Sequence, residues 1–264
     1  MATEAAVTVA AATQCWCCDL PRTLDYRLSR PLGERLPVPE RWTTDVMWAW
    51  LRRFHAPGAA VLAATPTLAA ELTTRGFKNV KLWPRGVDAN VYRPRVTALP
   101  YKRPIFLTVG RLAVEKNVEA FLKLDLPGTK LVVGDGPARA GLARQFPDAV
   151  FVGAMHGEAL AEIYAAADVF VFPSRTDTFG LVLLEALASG VPVAAFPAAA
   201  PRDVIGEAPV GALDEDLRLA CLAALECSRE DCREFALGIT WEKSARIFVQ
   251  HVAEATQAGR KLAA

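Results

Sequence analysis

Apolar residues recur at two periods along this chain, and the switches between them mark out its elements. From Pro39 to His55 the period is helical, with Trp42, Val46, Trp50 and Phe54 spaced by four. Ala60–Ala64 reads as a short buried strand. Thr65 is placed to cap the next helix, with Pro66 at its first position, and that helix stops at Gly76. Val80–Trp83 is another short strand, followed by a proline-spaced stretch through Pro84, Pro94 and Pro100 that reads as an interdomain linker. Beyond it strands and helices alternate. Ile105–Val109, Lys130–Val133, Val150–Val152, Val169–Phe172 and Val191–Phe196 are strands. Asn117–Leu124, Ala138–Gln145, Glu158–Ala167 and Phe179–Ser189 are helices, and Trp241–Leu262 is a terminal helix. Near-continuous apolar strands joined by helices predict a parallel sheet covered on both faces. Such a sheet binds its ligand beyond the carboxyl ends of its strands, so the loops after Val109, Val133, Val152 and Phe172 share one rim.

Residues 1–36 show no period and stay unassigned; their clustered cysteines and Ala-rich start are those of a disordered or frame-disrupted stretch. Residues 37–95 are expected to be a remnant of a first, acceptor-side domain. Residues 96–240 are the intact second domain, and 241–264 a helix packing back toward the first.

Charge narrows the function. The 264 residues carry 30 Lys and Arg against 29 Asp and Glu, a balance without the basic footprint of a nucleic-acid binder. No apolar run reaches the roughly 20 residues that cross a bilayer, and the N-terminus lacks the basic start of a secretion signal. A cytoplasmic protein is expected, with free thiols at Cys15, Cys17, Cys18, Cys221, Cys227 and Cys232. These do not form the two paired C-x-x-C motifs of a zinc site, and no metal or other cofactor is expected.

Two segments on the common rim carry chemistry. In 172–186 a strand runs through a polar loop into a helix opening at Phe179-Gly180. The first N–H groups of a helix have no internal partner and, with the helix dipole, form an anion site. Asp177 and Glu185 flank that start and can accept hydrogen bonds from sugar and ribose hydroxyls. In 110–117, Arg111 and Lys116 place two cations where a diphosphate leaving group would gather charge. The Gly134-x-Gly136 segment does not complete a dinucleotide fingerprint, because Arg139 stands at the third glycine position. His156 reads as a surface residue, and His55, Trp42, Trp48 and Trp50 as packing residues.

These residues resemble the family 4 glycosyltransferases, retaining enzymes of the GT-B fold with two Rossmann-like domains. The resemblance rests on G-R-L-x-x-E-K-N at 110–117, G-D-G-P at 134–137, S-x-x-D-x-F-G-x-x-x-x-E-A at 174–186, A-S-G-V-P-V at 188–193, and Trp83–Asp88, which matches the family's interdomain crossing. It covers about residues 37–264. It implies an α/β fold of GT-B type, with a Rossmann-like C-terminal domain and a truncated N-terminal one. It implies that Arg111 and Lys116 hold the donor diphosphate, that backbone from Thr178 through Phe179 and Gly180 to Leu181, with Gly110, meets the phosphates, that Asp177 faces the transferred sugar, and that Glu185 holds the ribose. Arg111, Lys116 and Asp177 are then the catalytic set. Many members have Glu where this chain has Asp177.

The expected reaction is retaining transfer of a sugar such as mannose from a GDP- or UDP-linked donor to a lipid or saccharide hydroxyl. Its setting is bacterial and cytoplasmic, with peripheral contact at the inner membrane face and self-association through the incomplete first domain among the expected partners. The alternatives are a catalytically impaired nucleotide-sugar-binding remnant or subunit, and a sugar-nucleotide epimerase of similar fold, disfavoured by the lack of a His-rich or acidic catalytic set on the rim.

Overall fold

A computed structural model describes residues 9–11 and 40–263, with side chains from 45 to 257. The other residues of the unassigned 1–36 stretch, with Cys15, Cys17 and Cys18, lie outside the described residues, as does the side chain of Trp42. The chain forms two compact units. The first comprises residues 1–84 and 242–264, and the second Arg85–Trp241.

The first unit has a three-stranded parallel sheet in the order β1 (Val9–Ala11), β2 (Ala60–Ala63), β3 (Val80–Leu82). The strand at Val9–Ala11 is too short to show a period in the sequence. Helix α1 (Glu40–His55) precedes β2, and α2 (Pro66–Thr74) links β2 to β3. The Thr65 hydroxyl accepts from the Leu68 N–H at 3.2 Å, with Pro66 following it in the first turn. Trp48, Leu51 and His55 on α1 pack with Leu68, Leu72 and Phe77. The stripe that revealed this helix in the sequence faces outward instead, with Val46 69%, Trp50 53% and Phe54 59% exposed. Positions 48, 51 and 55 follow the 3.6-residue turn, and the strict four-residue spacing marks the adjacent face.

Helix α10 (Trp241–Ala263) lies along β3 within this unit from residue 242 onward. Trp83 Nε1–H donates to the Ser244 carbonyl at 3.1 Å, and the Ser244 hydroxyl donates to the Pro84 carbonyl at 2.7 Å. The Trp83 ring packs on Phe248, and Lys81 pairs with Glu254.

His55 is 6% exposed, and neither ring nitrogen has a hydrogen-bond partner among the described residues. Burial lowers its pKa below the ordinary 6.5. Its folded form therefore binds a proton less readily than its unfolded form. The stability this contributes is fully present above pH about 6.5 and is lost as pH falls below it. The first unit should lose stability as pH falls below about 6.5, and His55→Leu should flatten that slope in pH-dependent thermal unfolding. An unchanged slope in the variant would show that His55 does not titrate with unfolding.

The second unit is a six-stranded sheet, parallel throughout, in the order β6 (Val150–Gly153), β5 (Thr129–Val133), β4 (Ile105–Val109), β7 (Val169–Phe172), β8 (Val193–Ala195), β9 (Gly211–Leu213). Helices α3 (Val118–Leu122), α4 (Arg139–Gln145), α5 (Gly157–Ala166), α6 (Leu181–Ala188), α7 (Ala199–Ile205), α8 (Leu217–Ala224) and α9 (Arg229–Leu237) connect and cover it. Phe106, Val132, Val169, Val171 and Ala194 from the strands pack with Phe121, Leu142, Leu217 and Cys221. Residues 85–95 pack with this unit: the Arg233 guanidinium on α9 donates to the carbonyls of Tyr92 and Ala188, both at 2.7 Å, and of Ala89 at 3.0 Å. The chain winds outward from β4 to β6, returns beside β4 at β7, and winds the other way to β9. The strand order thus reverses between β4 and β7.

Candidate functional site

At such a reversal the loops leaving two neighbouring strands diverge and open a crevice at their carboxyl ends. Here those loops are 110–117 after β4 and 173–180 after β7, the two segments that carry the candidate chemistry. Four contacts tie them. Lys116 Nζ meets Asp177 Oδ1 at 2.5 Å. The Asn117 amide donates to the Pro173 carbonyl at 3.1 Å, from a left-handed backbone at φ 52°. The hydroxyls of Ser174 and Thr176 each donate to the Glu115 carbonyl at 3.4 Å. Asp177 keeps its second oxygen, Oδ2, buried and without a hydrogen-bond partner among the described residues. Arg111 is exposed, and its guanidinium makes no hydrogen bond or ion pair with any described residue.

The Gly134–Pro137 loop supports this crevice from behind. Gly110 N–H donates to the Val133 carbonyl at 3.0 Å, Leu112 N–H to Asp135 at 2.8 Å, and Ala138 N–H to Leu112 at 2.9 Å. Only glycines permit this approach. A Cβ on Gly134 would stand 1.9 Å from the Gly110 carbonyl oxygen, and one on Gly136 would stand 2.4 Å from that of Leu112. Gly110 is the opposite case: at φ 153° a Cβ there would point into open space, with nothing within 4 Å. The backbone at Gly110 is therefore bare on the side where a ligand can approach closely.

Helix α6 begins at Leu181, two residues later than the sequence pattern implies, because Gly180 adopts φ 77° and forms the cap position. No side chain caps this end. Leu183 N–H bonds to the Gly180 carbonyl at 2.9 Å, and the Leu181 and Val182 N–H groups ahead of it are first-turn donors of the kind a helix leaves without an internal partner. The space beside Gly180 is filled by Phe172 and Leu183, each 3.1 Å from a built Cβ. Glycine at 180 thus serves the left-handed backbone turn and the packing of Phe172 and Leu183. Phe179 is buried and Thr178 half-buried, so their contribution to the crevice falls mainly on the backbone.

Glu185 lies on α6 one turn beyond Leu181, and its carboxylate is not free. The Tyr164 hydroxyl on α5 donates to Oε2 at 3.0 Å, and the Tyr92 phenol stands near enough to feel the same charge. Burial raises the Glu185 pKa, and the neighbouring phenols of Tyr164 and Tyr92 oppose that rise by favouring the charged form. Burial and the neighbouring Glu185 charge push the Tyr92 hydroxyl up to about 12 and that of Tyr164 higher still. Both phenols therefore remain protonated donors. Sequence patterning does not single out either tyrosine: Tyr164 sits within an apolar helical run, and Tyr92 lies in the stretch that reads as a linker. His156 is exposed at the start of α5. Among the described residues no group of three or more His, Cys, Asp or Glu could hold a metal, and no helix is long and apolar enough to cross a membrane.

An all-parallel sheet whose strand order reverses beside its first strand has the form of a Rossmann-like domain of the GT-B fold. Sucrose-phosphate synthase from Thermosynechococcus elongatus shares the fold with a TM-score of 0.70 at 24% identity, over 89% of this chain and 66% of that one. Residues 103–226 match the family model of glycosyl transferases group 1. A GDP-mannose-dependent alpha-mannosyltransferase of Mycobacterium tuberculosis is 41% identical over 172 residues, covering 62% of this chain and 46% of the relative. One of the same name from Corynebacterium glutamicum is 33% identical over 228 residues, covering 78% and 55%. The chain thus spans about half the length of the curated relatives it matches.

Proposed function

We propose that the second unit binds a nucleoside-diphosphate sugar, GDP-mannose foremost, and that it serves retaining transfer of the hexosyl group to a lipid or saccharide hydroxyl on the cytoplasmic side of the membrane. The observation that supports this reading is the cross-tie, at the reversal of the sheet, between the loop that opens the uncapped α6 and the loop that carries Arg111, which is exposed and without a partner among the described residues. In this reading Arg111 and Lys116 neutralise the diphosphate, whose charge grows as its bond to the sugar breaks. Backbone N–H groups at Leu181 and Val182 and the bare Gly110 backbone receive the phosphate oxygens. Asp177 Oδ2 accepts from a sugar hydroxyl, and Glu185 accepts from the ribose. The choice of GDP-mannose follows from the names of the relatives at 33–41% identity.

The role assignment separates the two carboxylates. Glu185→Ala should weaken GDP about tenfold, the range of one hydrogen bond to a charged acceptor. Asp177→Ala should leave GDP within about threefold of wild type, because it releases Lys116 toward the phosphates, yet should weaken GDP-mannose selectively. Calorimetric titration of both variants with both ligands checks this; equal losses for GDP would overturn the assignment.

A further inference from the structure

Two phenols converging on one largely buried carboxylate are more than packing requires. Tyr164 is fully buried, so its hydroxyl serves only within the protein, and it meets Glu185 Oε2 at 3.0 Å. Tyr92 comes from the other end of this unit's sequence, held in place by the Arg233 bonds to the Tyr92 and Ala89 carbonyls. Its ring meets that of Tyr164 edge-on at 5.7 Å. The two rings thus brace each other, with the Tyr164 hydroxyl on Glu185 and the Tyr92 hydroxyl raised by the same carboxylate's charge.

We propose that Tyr92 and Tyr164 are positioning residues that fix the Glu185 carboxylate for bidentate capture of the donor's ribose diol. A carboxylate offers roughly four acceptor positions, so even two phenol donors would leave two for a vicinal pair of hydroxyls. A helix-borne Glu free to rotate would lose side-chain entropy on capturing a diol, and the tyrosines remove that loss by ordering it beforehand. The Tyr92 contact also makes the 85–95 segment a structural part of the nucleotide site. The inference rests on the reading of Glu185 as the ribose ligand.

The test compares affinity for GDP with that for 2′,3′-dideoxy-GDP in the full 264-residue chain, for wild type, Glu185→Gln, Tyr92→Phe and Tyr164→Phe, with thermal unfolding alongside. Wild type should prefer GDP about tenfold or more. Tyr92→Phe and Tyr164→Phe should each shrink that preference about threefold or more while leaving the dideoxy ligand's affinity unchanged. A preference unchanged in either tyrosine variant, or equal losses for both ligands, overturns the inference. If wild type shows no preference, or if Glu185→Gln retains it in full, the ribose reading itself fails and the positioning role with it. A preference lost in Glu185→Gln but kept in the tyrosine variants overturns the inference alone.

Discussion

Gly134→Val should cost the second unit about 2–6 kcal/mol, combining a strained backbone residue with overpacking against a fixed carbonyl. Gly134 sits at φ 139°, and its missing Cβ would lie 1.9 Å from the Gly110 oxygen and 2.9 Å from the Gly110 carbonyl carbon. Neither atom can yield, because Gly110 is the first residue of the crevice loop and its own N–H is bonded to Val133 at 3.0 Å. Against a typical domain stability of about 5–15 kcal/mol, a loss of that size approaches unfolding. A second glycine supplies the contrast. Gly141 lies inside α4 with nothing within 4 Å of a built Cβ, so Gly141→Ala should stabilise by about 0.5–1 kcal/mol. Scanning calorimetry should therefore show shifts of opposite sign for the two variants. A Gly134→Val protein that unfolds like wild type would show that the 134–137 loop does not support the crevice.

How far the fold was legible depended on how each segment meets its neighbours. Strands buried on both faces, such as Phe106 and Leu107 in β4 or Val169–Phe172 in β7, are apolar throughout and visible without a structure. The region after Phe196 was not. Strand β9 has only three half-buried residues, and α7 places Pro201 in its first turn within an Ala-rich run, so neither carries a period. On α1 the visible stripe was the wrong face, since the apolar surface of Trp50 and Phe54 is stacked ring on ring at 5.5 Å outside the core.

The site was legible in its residue types and less so in its roles. The loop carrying Gly110, Arg111 and Lys116 lies against the loop carrying Asp177 because the two leave adjacent strands, which is visible only once β4 and β7 are known to pair. The Lys116–Asp177 pair, the supporting role of Gly134 and Gly136, and the tyrosines on Glu185 arise from contacts between segments distant in sequence, and no local pattern encodes them.

The second large effect distinguishes the two cations. Arg111→Ala should weaken GDP by about 1.5–3 kcal/mol, roughly ten- to hundredfold, with no change in unfolding temperature, because Arg111 has no partner among the described residues to leave behind. Lys116→Ala should weaken GDP over the same range, yet also lower stability. It leaves Asp177, whose side chain is 19% exposed, without its counter-charge. The pair's geometry adds a further consequence. Diphosphate must share Lys116 with Asp177, so part of the attraction is spent reorganising an existing bond, and Arg111 is the cation whose full hydrogen-bonding capacity is available. Titration of both variants, with unfolding curves, separates these contributions. A destabilised Arg111→Ala protein would show that its guanidinium serves the fold.

The measurement that bears most directly on the central claim, an anion site at the reversal of the sheet, is calorimetric titration of wild type and Arg111→Ala with GDP and with guanosine. The account predicts that wild type binds GDP well above guanosine, that Arg111→Ala loses about ten- to hundredfold for GDP, and that guanosine affinity stays where it was. Equal losses for GDP and guanosine, or a wild type that does not distinguish them, would contradict it.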